Sequence, residues 1–246
     1  MRQRPGSQRR LARRIFAVAV ADVIFATLSA HGQSRPATQV AICSPDRPAA
    51  SAGGQTKNAM GEAGTAIQEV RANSFPELAR VDLRTRAFRS RSDYFRTRFS
   101  FSRFLLLAPM RYFIEVNPAV FEQQAPFDGI CAILAHELVH VASLRRGNRI
   151  RRLGLVQLLS KRQTAKFERR TDLEAIQRGY GNGLKSYRVW VYAHVPPDKL
   201  PEKRRNYFSP EEIAAIQLKL QGQPDIMAYW SKHVPLNLQE IQSSVK

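Results

Sequence analysis

The sequence predicts an α+β fold, in which a small sheet is combined with several helices. Three features predict it. Basic and apolar residues alternate between Val81 and Phe104, which indicates half-buried strands. An apolar run at 127–143 is long enough for a buried helix, and residues 167–178 have a second helical pattern.

The N-terminal region differs in composition from the rest of the chain. Residues 1–32 have the features of an export signal: a cationic start, the apolar run IFAVAVADVIFATLSA at 15–30, and small residues after it. They predict an exported protein, periplasmic or extracellular, with retention of 15–30 as an N-terminal membrane anchor as the alternative. Residues 33–60, rich in Ala, Ser, Gly and Pro, predict a flexible linker, so we expect one folded domain at 61–246.

The first half of that domain is predicted to pass from a helix to strands. Apolar residues recur near helical spacing before Pro76, at Ala63, Ile67, Val70 and Phe75. The strands between 81 and 104 should carry arginine on one face, as in RTRAFRSRSDYFRTRFSFSRF. A further strand is expected at 112–116, because MRYFIEVNP is β-branched and aromatic and ends in Asn-Pro.

The second half is predicted to be mainly helical. The helix at 127–143 has Asp128 as its expected N-cap, and 150–162 should form a short basic amphipathic segment. The helix at 167–178 should close at Gly179-Tyr180-Gly181, whereas SYRVWVYAHV at 186–195 is typical of a strand. Ser209-Pro210-Glu211-Glu212 has the features of a helix start, and a last helix near 224–232 should precede a polar tail.

The composition limits the classes of partner and cofactor. The chain has 39 Lys plus Arg against 20 Asp plus Glu, a balance that attracts nucleic acid, anionic lipid or acidic polymer. Only two cysteines occur, so neither a disulfide framework nor a cysteine-based zinc site is available. Cys131 is expected to be a small buried apolar residue, while Cys43 could pair with Cys131, stay free, or bind a metal as a thiolate.

The strongest chemical signal is the stretch AILAHELVHVAS, which contains the pattern H-E-x-x-H. His136 and His140 are four residues apart, so on a helix both imidazoles can face one metal ion. Glu137 projects to the side, where its carboxylate can reach a metal-activated water without being a ligand. Burying these groups without partners would cost several kcal/mol, and a metal ion is the simplest compensation.

A catalytic zinc ion needs a third protein ligand, and the second helical pattern can provide it. Glu168 and Asp172 in FERRTDL are also four apart and share one helix face. We expect Glu168 to bind the metal and Asp172 to accept the N–H of a ligand histidine, His136 in the first instance. Asp172 itself or Glu174 is the alternative third ligand.

The motif pair H-E-x-x-H and E-x-x-x-D resembles the gluzincin branch of zinc metallopeptidases, over about residues 110–180. The resemblance implies a zincin-like α+β domain with two packed metal-binding helices and a small sheet whose edge strand lies at the cleft. It implies Zn²⁺ bound by His136, His140 and Glu168, with Glu137 as the general base of peptide hydrolysis. It also implies an extended peptide or protein substrate lying antiparallel to the strand at 112–116.

Gluzincins usually have a further Tyr or His that stabilises the developing oxyanion. Tyr180, Tyr192 and His194 are candidates by residue type, and no motif selects among them.

A basic protein that binds surfaces is the alternative function. In it the chain would attach to anionic lipid, cell-wall polymer or nucleic acid, and the metal would be structural. Cationic residues are dense at 145–170, but no zinc finger, RNP signature or helix-turn-helix accompanies them, so nucleic acid is not the expected partner. Leucines beside those charges favour an anionic membrane surface or a lid over the cleft, although a solvated face is the commonest outcome for such a run.

Overall fold

The computed structural model of the chain describes residues 56–146 and 160–244. The described residues all belong to one compact unit, which lies within Ala37–Lys246. The expected export signal at 1–32, nearly all of the linker at 33–60, and most of the basic segment at 150–162 lie outside the described residues. The described part begins with a helix at Thr56, five residues before the expected domain start.

Helices and a small sheet make up this unit, so the α+β prediction is confirmed. The strands are β1 (Asp82–Ala87), β2 (Phe95–Phe99) and β3 (Arg111–Val116). The helices of the described residues are α1 (Thr56–Ser74), α2 (Phe101–Leu105), α3 (Ala119–Glu122), α4 (Phe127–Arg146), α5 (Lys161–Ala175), α6 (Gly181–His194), α7 (Leu200–Asn206), α8 (Pro210–Gly222), α9 (Ile226–Trp230) and α10 (Leu238–Ser243). A 3₁₀ turn at Pro76–Leu78 follows α1, and a π-helical turn at Ile176–Tyr180 joins α5 to α6.

The sheet has the strand order β1-β3-β2, with β3 parallel to β1 and antiparallel to β2. The strand expected at 112–116 is therefore present, but the expectation that it lies at the sheet edge is wrong. Tyr112, Phe113 and Ile114 are all buried, and such a continuous apolar run is typical of a central strand with partners on both sides. The edge strand that packs against α4 is β2.

One face of the sheet carries arginine, as the alternating pattern predicted. Arg84 and Arg98 lie opposite Phe113 in the register, and Arg86 and Arg96 lie opposite Glu115. The Nε atoms of Arg96 and Arg98 both donate to Glu115 Oε2. Leu83, Thr85, Thr97 and Ile114 belong to the alternating positions of the other face, which the helices cover.

Helix α4 is the centre of the fold. Fourteen of its twenty residues are buried, and it contributes to two apolar clusters. One cluster joins it to α1, the sheet and α6, and the other to α5, α8, α9 and α10. Ile130, Leu134 and Leu138 are fully buried, and each contributes about 1.5–3 kcal/mol through removal of its side chain from water.

The ends and the length of α4 differ slightly from expectation. Asp128 lies in the first turn instead of at the N-cap, and its Oδ1 accepts from the backbone N–H of Gly129 at 2.8 Å. Among the described residues α4 is the helix that is long and apolar enough to cross a membrane, but 78% of that window is buried inside the protein. Burial of this kind is typical of a core helix.

Two segments of the second half form helices where the sequence predicted otherwise. SYRVWVYAHV belongs to α6: Tyr187, Trp190 and Val191 are buried, while Val189 between them is exposed, which is helical spacing. The strand prediction was wrong because β-branched and aromatic residues are also tolerated in a helix that tertiary packing stabilises. The predicted polar tail contains α10, which Asn237 caps through the backbone N–H of Glu240.

The predicted helix ends near the second helical pattern are present. Gly179 has φ +95°, a conformation that favours glycine, and there the chain turns from α5 into α6. Gly183 allows α6 to approach α4 closely, since a Cβ at this position would lie 2.3 Å from the carbonyl oxygen of Asp128. Ser209 caps α8 in a capping box with Glu212, as its sequence predicted. The last predicted helix, near 224–232, is the short α9.

Candidate metal centre

Helices α4 and α5 bring three potential metal ligands together. His136, His140 and Glu168 each offer one donor atom, and these atoms lie within 4.8 Å of one another. Glu168 Oε2 lies 3.2 Å from His136 Nε2 and 3.3 Å from His140 Nε2. The residues expected from the sequence as ligands are thus neighbours in space.

The donor types, and the two distances from Glu168, are compatible with a metal ion such as zinc. Bonds of about 2.0–2.1 Å place the ligands of a tetrahedral zinc ion about 3.3–3.4 Å apart. The two distances from Glu168 are 3.2 and 3.3 Å, close to that separation. Two imidazole nitrogens and a carboxylate oxygen are also the donors of catalytic zinc sites that keep a fourth position open.

The ring of His136 is held by a buried ion pair. Its Nδ1 lies 2.8 Å from Asp172 Oδ1, which leaves Nε2 to face Glu168. Asp172 also accepts from Arg188 Nη2 at 3.0 and 3.2 Å and from the backbone N–H of Phe208 at 3.2 Å. Because Arg188 lies on α6, this network joins three helices behind the candidate ligand.

The network shifts the pKa values of its members. Burial disfavours the charge of His136, but hydrogen bonds with Asp172 and Glu168 outweigh burial and raise the pKa of His136 to about 9. Burial likewise opposes the charge of Asp172, yet the positive charge of Arg188 and the contact with His136 hold the pKa of Asp172 below its usual value. The metal-free chain therefore keeps a proton on His136 between two carboxylates, in a place where a cation is favoured.

His140 is positioned by other contacts. Its ring stacks on Phe167 with centroids 5.1 Å apart and meets the ring of His136 nearly at right angles. Its Nδ1 lies 3.5 Å from Thr171 Oγ1, so Nε2 is the nitrogen that faces Glu168. Phe167, Glu168 and Thr171 all belong to α5, so this helix positions both imidazoles.

Glu137 is fixed by the edge strand of the sheet. Thr97 of β2 donates its hydroxyl to Glu137 Oε2 at 2.7 Å and to the backbone oxygen of Glu137 at 3.0 Å. Only 5% of Glu137 is exposed, so this contact orients the carboxylate in a largely water-free place. The pattern H-E-x-x-H gave no indication that Thr97 is its partner.

Tyr207 is a residue of the site that the sequence analysis missed. Its ring lies 5.9 Å from the ring of His136, and the guanidinium of Arg188 lies 4.5 Å from its centroid. Burial and the nearby charge of Glu168 raise the pKa of Tyr207 well above its usual value, so its hydroxyl stays protonated and can donate. Arg169 of α5 fixes the end of α7 just before Tyr207 by donating to the carbonyls of Arg204 and Arg205.

The three oxyanion candidates from the sequence have different positions. Tyr192 lines a cavity of about 30 Å³ together with His136, Glu137 and Tyr207, which is room for a water molecule. Its hydroxyl is buried without a hydrogen-bond partner among the described residues. Tyr180 instead bonds to Ser74 at 2.7 Å, and His194 stacks on Trp190 and bonds to its carbonyl, so neither is part of this cavity.

The contacts decide two further points that the sequence left open. Glu174, an alternative third ligand, forms ion pairs with Arg146 and Arg178 and is not part of the cluster. Cys131 is buried as expected but is disulfide-bonded, so it is not simply an apolar side chain. Cys43, the other cysteine of the sequence, lies outside the described residues.

Comparison with family models, with curated proteins and with solved structures finds no match.

Proposed function

We propose that the chain is a zinc-dependent peptidase of zincin-like fold, related in its site to the gluzincins. The observation that carries this proposal is the grouping of His136, His140 and Glu168, in which the two distances from Glu168 suit one tetrahedral zinc ion. In the described residues this cluster has three donors, whereas a structural zinc site is closed by four protein ligands. A fourth position left to solvent is what hydrolysis requires.

The residues around the ligands have the groups that peptide hydrolysis needs. Bound zinc would polarise the scissile carbonyl and lower the pKa of the attacking water to about 7. Glu137 would take the water's proton at Oε1, because Oε2 already accepts from Thr97, and would then pass it to the departing amine. Tyr207 would donate its hydroxyl to the oxygen that becomes negative.

The substrate would lie along β2. This strand is paired with β3 on one side, is an edge in the described sheet, and contacts the candidate base through Thr97. An extended peptide could therefore add to β2 by main-chain hydrogen bonds, running antiparallel to it. This assignment replaces the strand at 112–116, which is central and has no free edge.

Zinc content and peptide turnover of full-length variants test the proposal. We expect Glu137→Gln to keep zinc and lose about 10²–10⁴-fold in kcat, because it removes the base without removing a ligand. Glu168→Gln should lose zinc and activity together. Glu174→Gln is the matched control. Glu174 lies on the same helix as Glu168, more than one turn away, and pairs with arginine, so this change should alter neither zinc content nor turnover. Full turnover by zinc-loaded Glu137→Gln would refute the role given to Glu137.

The second candidate function is a basic surface-binding protein with a structural metal, and the arginine-bearing face of the sheet favours it. Binding through that face should weaken steeply as salt rises, whereas peptide hydrolysis need not. A preparation with one zinc per chain, no turnover of any peptide pool, and salt-sensitive binding to acidic polymer would favour this candidate over the peptidase.

A further inference from the structure

The connection from β2 to β3 carries a group of exposed apolar side chains, here called the apolar tip. Its exposed members are Phe101, Leu105, Leu106 and Leu107, with 57%, 61%, 78% and 71% of their surfaces exposed. They are contiguous in sequence around the short helix α2, and three leucines in succession are rarely left in water. Scattered apolar residues need no explanation, but a cluster of this size does.

The tip is a built structure rather than a loose loop. Phe104 points into the protein, and its ring lies 6.0 Å from that of Phe99 and 6.1 Å from that of Phe101. The Arg103 side chain donates to the carbonyl of Pro109 at 3.1 Å and closes the turn. Leu107 has φ +55°, a conformation that costs a leucine about 1 kcal/mol or more, so the fold holds this side chain outward against a local preference.

Positive charge lies beside the tip. Arg80 lines a cavity together with Leu107, and Arg111, the first residue of β3, follows the tip and pairs with Asp82. Arg103 lies within the tip. Arg98 lies near the end of β2, just before the tip, and 55% of its side chain is exposed. A projecting apolar group flanked by arginines complements a lipid bilayer with anionic headgroups. The apolar side chains can enter the hydrocarbon region, and the arginines can contact the negatively charged headgroups.

We propose that the apolar tip inserts into the surface of an anionic lipid bilayer while the neighbouring arginines contact the headgroups. This surface is different from the cationic stretch at 145–170, for which the sequence favoured contact with an anionic membrane or a lid over the cleft. Binding here depends on the tip and on the arginines beside it, and it holds whether or not the chain is a peptidase.

The proposal has a consequence for substrates that does rest on the proposed function. Thr97, which holds Glu137, and Phe101 are four residues apart, and an extended chain covers about 13 Å over that length. Insertion of the tip would therefore place the candidate site close to the bilayer surface. Its substrates would be polypeptide segments that emerge from or lie on the membrane.

A fluorescent probe at the tip tests insertion directly. The two natural tryptophans, Trp190 and Trp230, are buried, so the indole introduced by Leu106→Trp would be the exposed one among the described residues. With the full-length variant we expect its emission to shift to the blue on addition of vesicles that contain phosphatidylglycerol, and less with phosphatidylcholine alone. Leu218→Trp is the matched control. Leu218 lies on α8 and is 70% exposed, and an indole there should give no shift.

Vesicle flotation measures how much binding the tip contributes. We expect Leu105→Ser/Leu106→Ser to weaken binding about tenfold or more, since each leucine loses most of its transfer free energy, and Leu218→Ser to leave it unchanged. Raising salt from about 0.1 M to about 1 M should weaken wild-type binding as well. Circular dichroism checks that the variants stay folded, and zinc content and peptide turnover, measured in parallel, report separately on the proposed peptidase.

Three outcomes would overturn the proposal. Equal binding by the double serine variant and wild type would show that other parts of the chain bind the vesicles. Equal shifts at positions 106 and 218 would mean that insertion is not specific to the tip. A blue-shifted indole at position 106 without lipid would show that the tip is covered by the chain itself, or by a second copy if the shift grows with protein concentration.

Discussion

Asp172 Oδ1 lies 2.8 Å from His136 Nδ1, although the two residues are 36 positions apart and belong to different helices. Asp172 is one helical turn beyond Glu168, so a single face of α5 provides both a candidate ligand and the group that orients another ligand. A carboxylate in this position fixes the tautomer of the imidazole and makes Nε2 a better donor to a metal. Its removal should therefore be visible in metal affinity.

Asp172→Asn is expected to weaken zinc binding about 10–100-fold, because an amide cannot polarise the imidazole as a carboxylate does. Competition with a chromophoric chelator measures the affinity. The variant also leaves Arg188 without its buried partner, and breaking a buried pair costs about 3–5 kcal/mol of stability. The metal effect must therefore be separated from the loss of stability.

Glu212→Gln is the control for that separation. It breaks the buried pair between Glu212 and Arg169, whose atoms are 3.0 Å apart, without touching a histidine. We expect it to lower the free energy of unfolding to a similar extent and to leave zinc affinity unchanged. If both variants lost zinc affinity equally, the contact between Asp172 and His136 would have no special role.

The raised pKa of His136 predicts how the stability of the metal-free chain depends on pH. Folding shifts this pKa from 6.5 to about 9, so the folded state binds the proton more tightly than the unfolded state. The stabilisation is fully present below pH 6.5 and is lost as pH rises through 9. The loss should be on the order of 3 kcal/mol.

Urea unfolding with a chelator present measures this change. The pH series should run from about 6 to about 10, so that it covers both the unfolded pKa of 6.5 and the folded pKa of about 9. His136→Asn removes the group and should flatten the dependence relative to His233→Asn, which changes a histidine that stacks on Tyr229. Zinc must displace the same proton, so zinc uptake near neutral pH should release about one proton per chain. A wild-type curve parallel to that of His136→Asn would contradict the assignment.

The local parts of the site were predictable from sequence, and the parts assembled by tertiary packing were not. The spacing of His136 and His140, and of Glu168 and Asp172, is a property of single helices, so the pattern alone placed each pair on one face. Thr97 and Tyr207 reach the site from β2 and from the residue after α7, at separations that no local pattern encodes.

The fold shows the same division. The α+β class, β3 and the start of α8 follow from local periodicity and capping, and the structure has them. The central place of β3 depends on pairing with β1, a contact between distant segments that periodicity does not report. SYRVWVYAHV was assigned the wrong state because its alternation suits a strand, whereas its burial against α4 selects the helix.

Thr97→Val is expected to lower kcat about tenfold while zinc content stays at one per chain. The change removes the hydroxyl that donates to Glu137 Oε2 at 2.7 Å, so the carboxylate loses its fixed orientation but remains in place. Thr85→Val is a matched control, since Thr85 of β1 and Thr97 of β2 lie opposite the same residue, Ile114, on the two sides of β3. Steady-state kinetics on one peptide compares them, and equal losses in both variants would assign the effect to the sheet rather than to Glu137.

Tyr207→Phe tests whether the site stabilises a developing negative charge. The ring lies 5.9 Å from that of His136, and its hydroxyl stays protonated because burial and Glu168 raise its pKa. If that hydroxyl donates to the reacting oxygen only in the transition state, its removal should lower kcat about 10²–10³-fold with little change in KM, zinc content or stability. Tyr180→Phe, which removes a hydroxyl bound to Ser74, serves as the control and should keep full kcat. Tyr192→Phe separates the two tyrosines of the cavity: a larger loss there than in Tyr207→Phe would transfer the role to Tyr192, whose hydroxyl has no partner among the described residues.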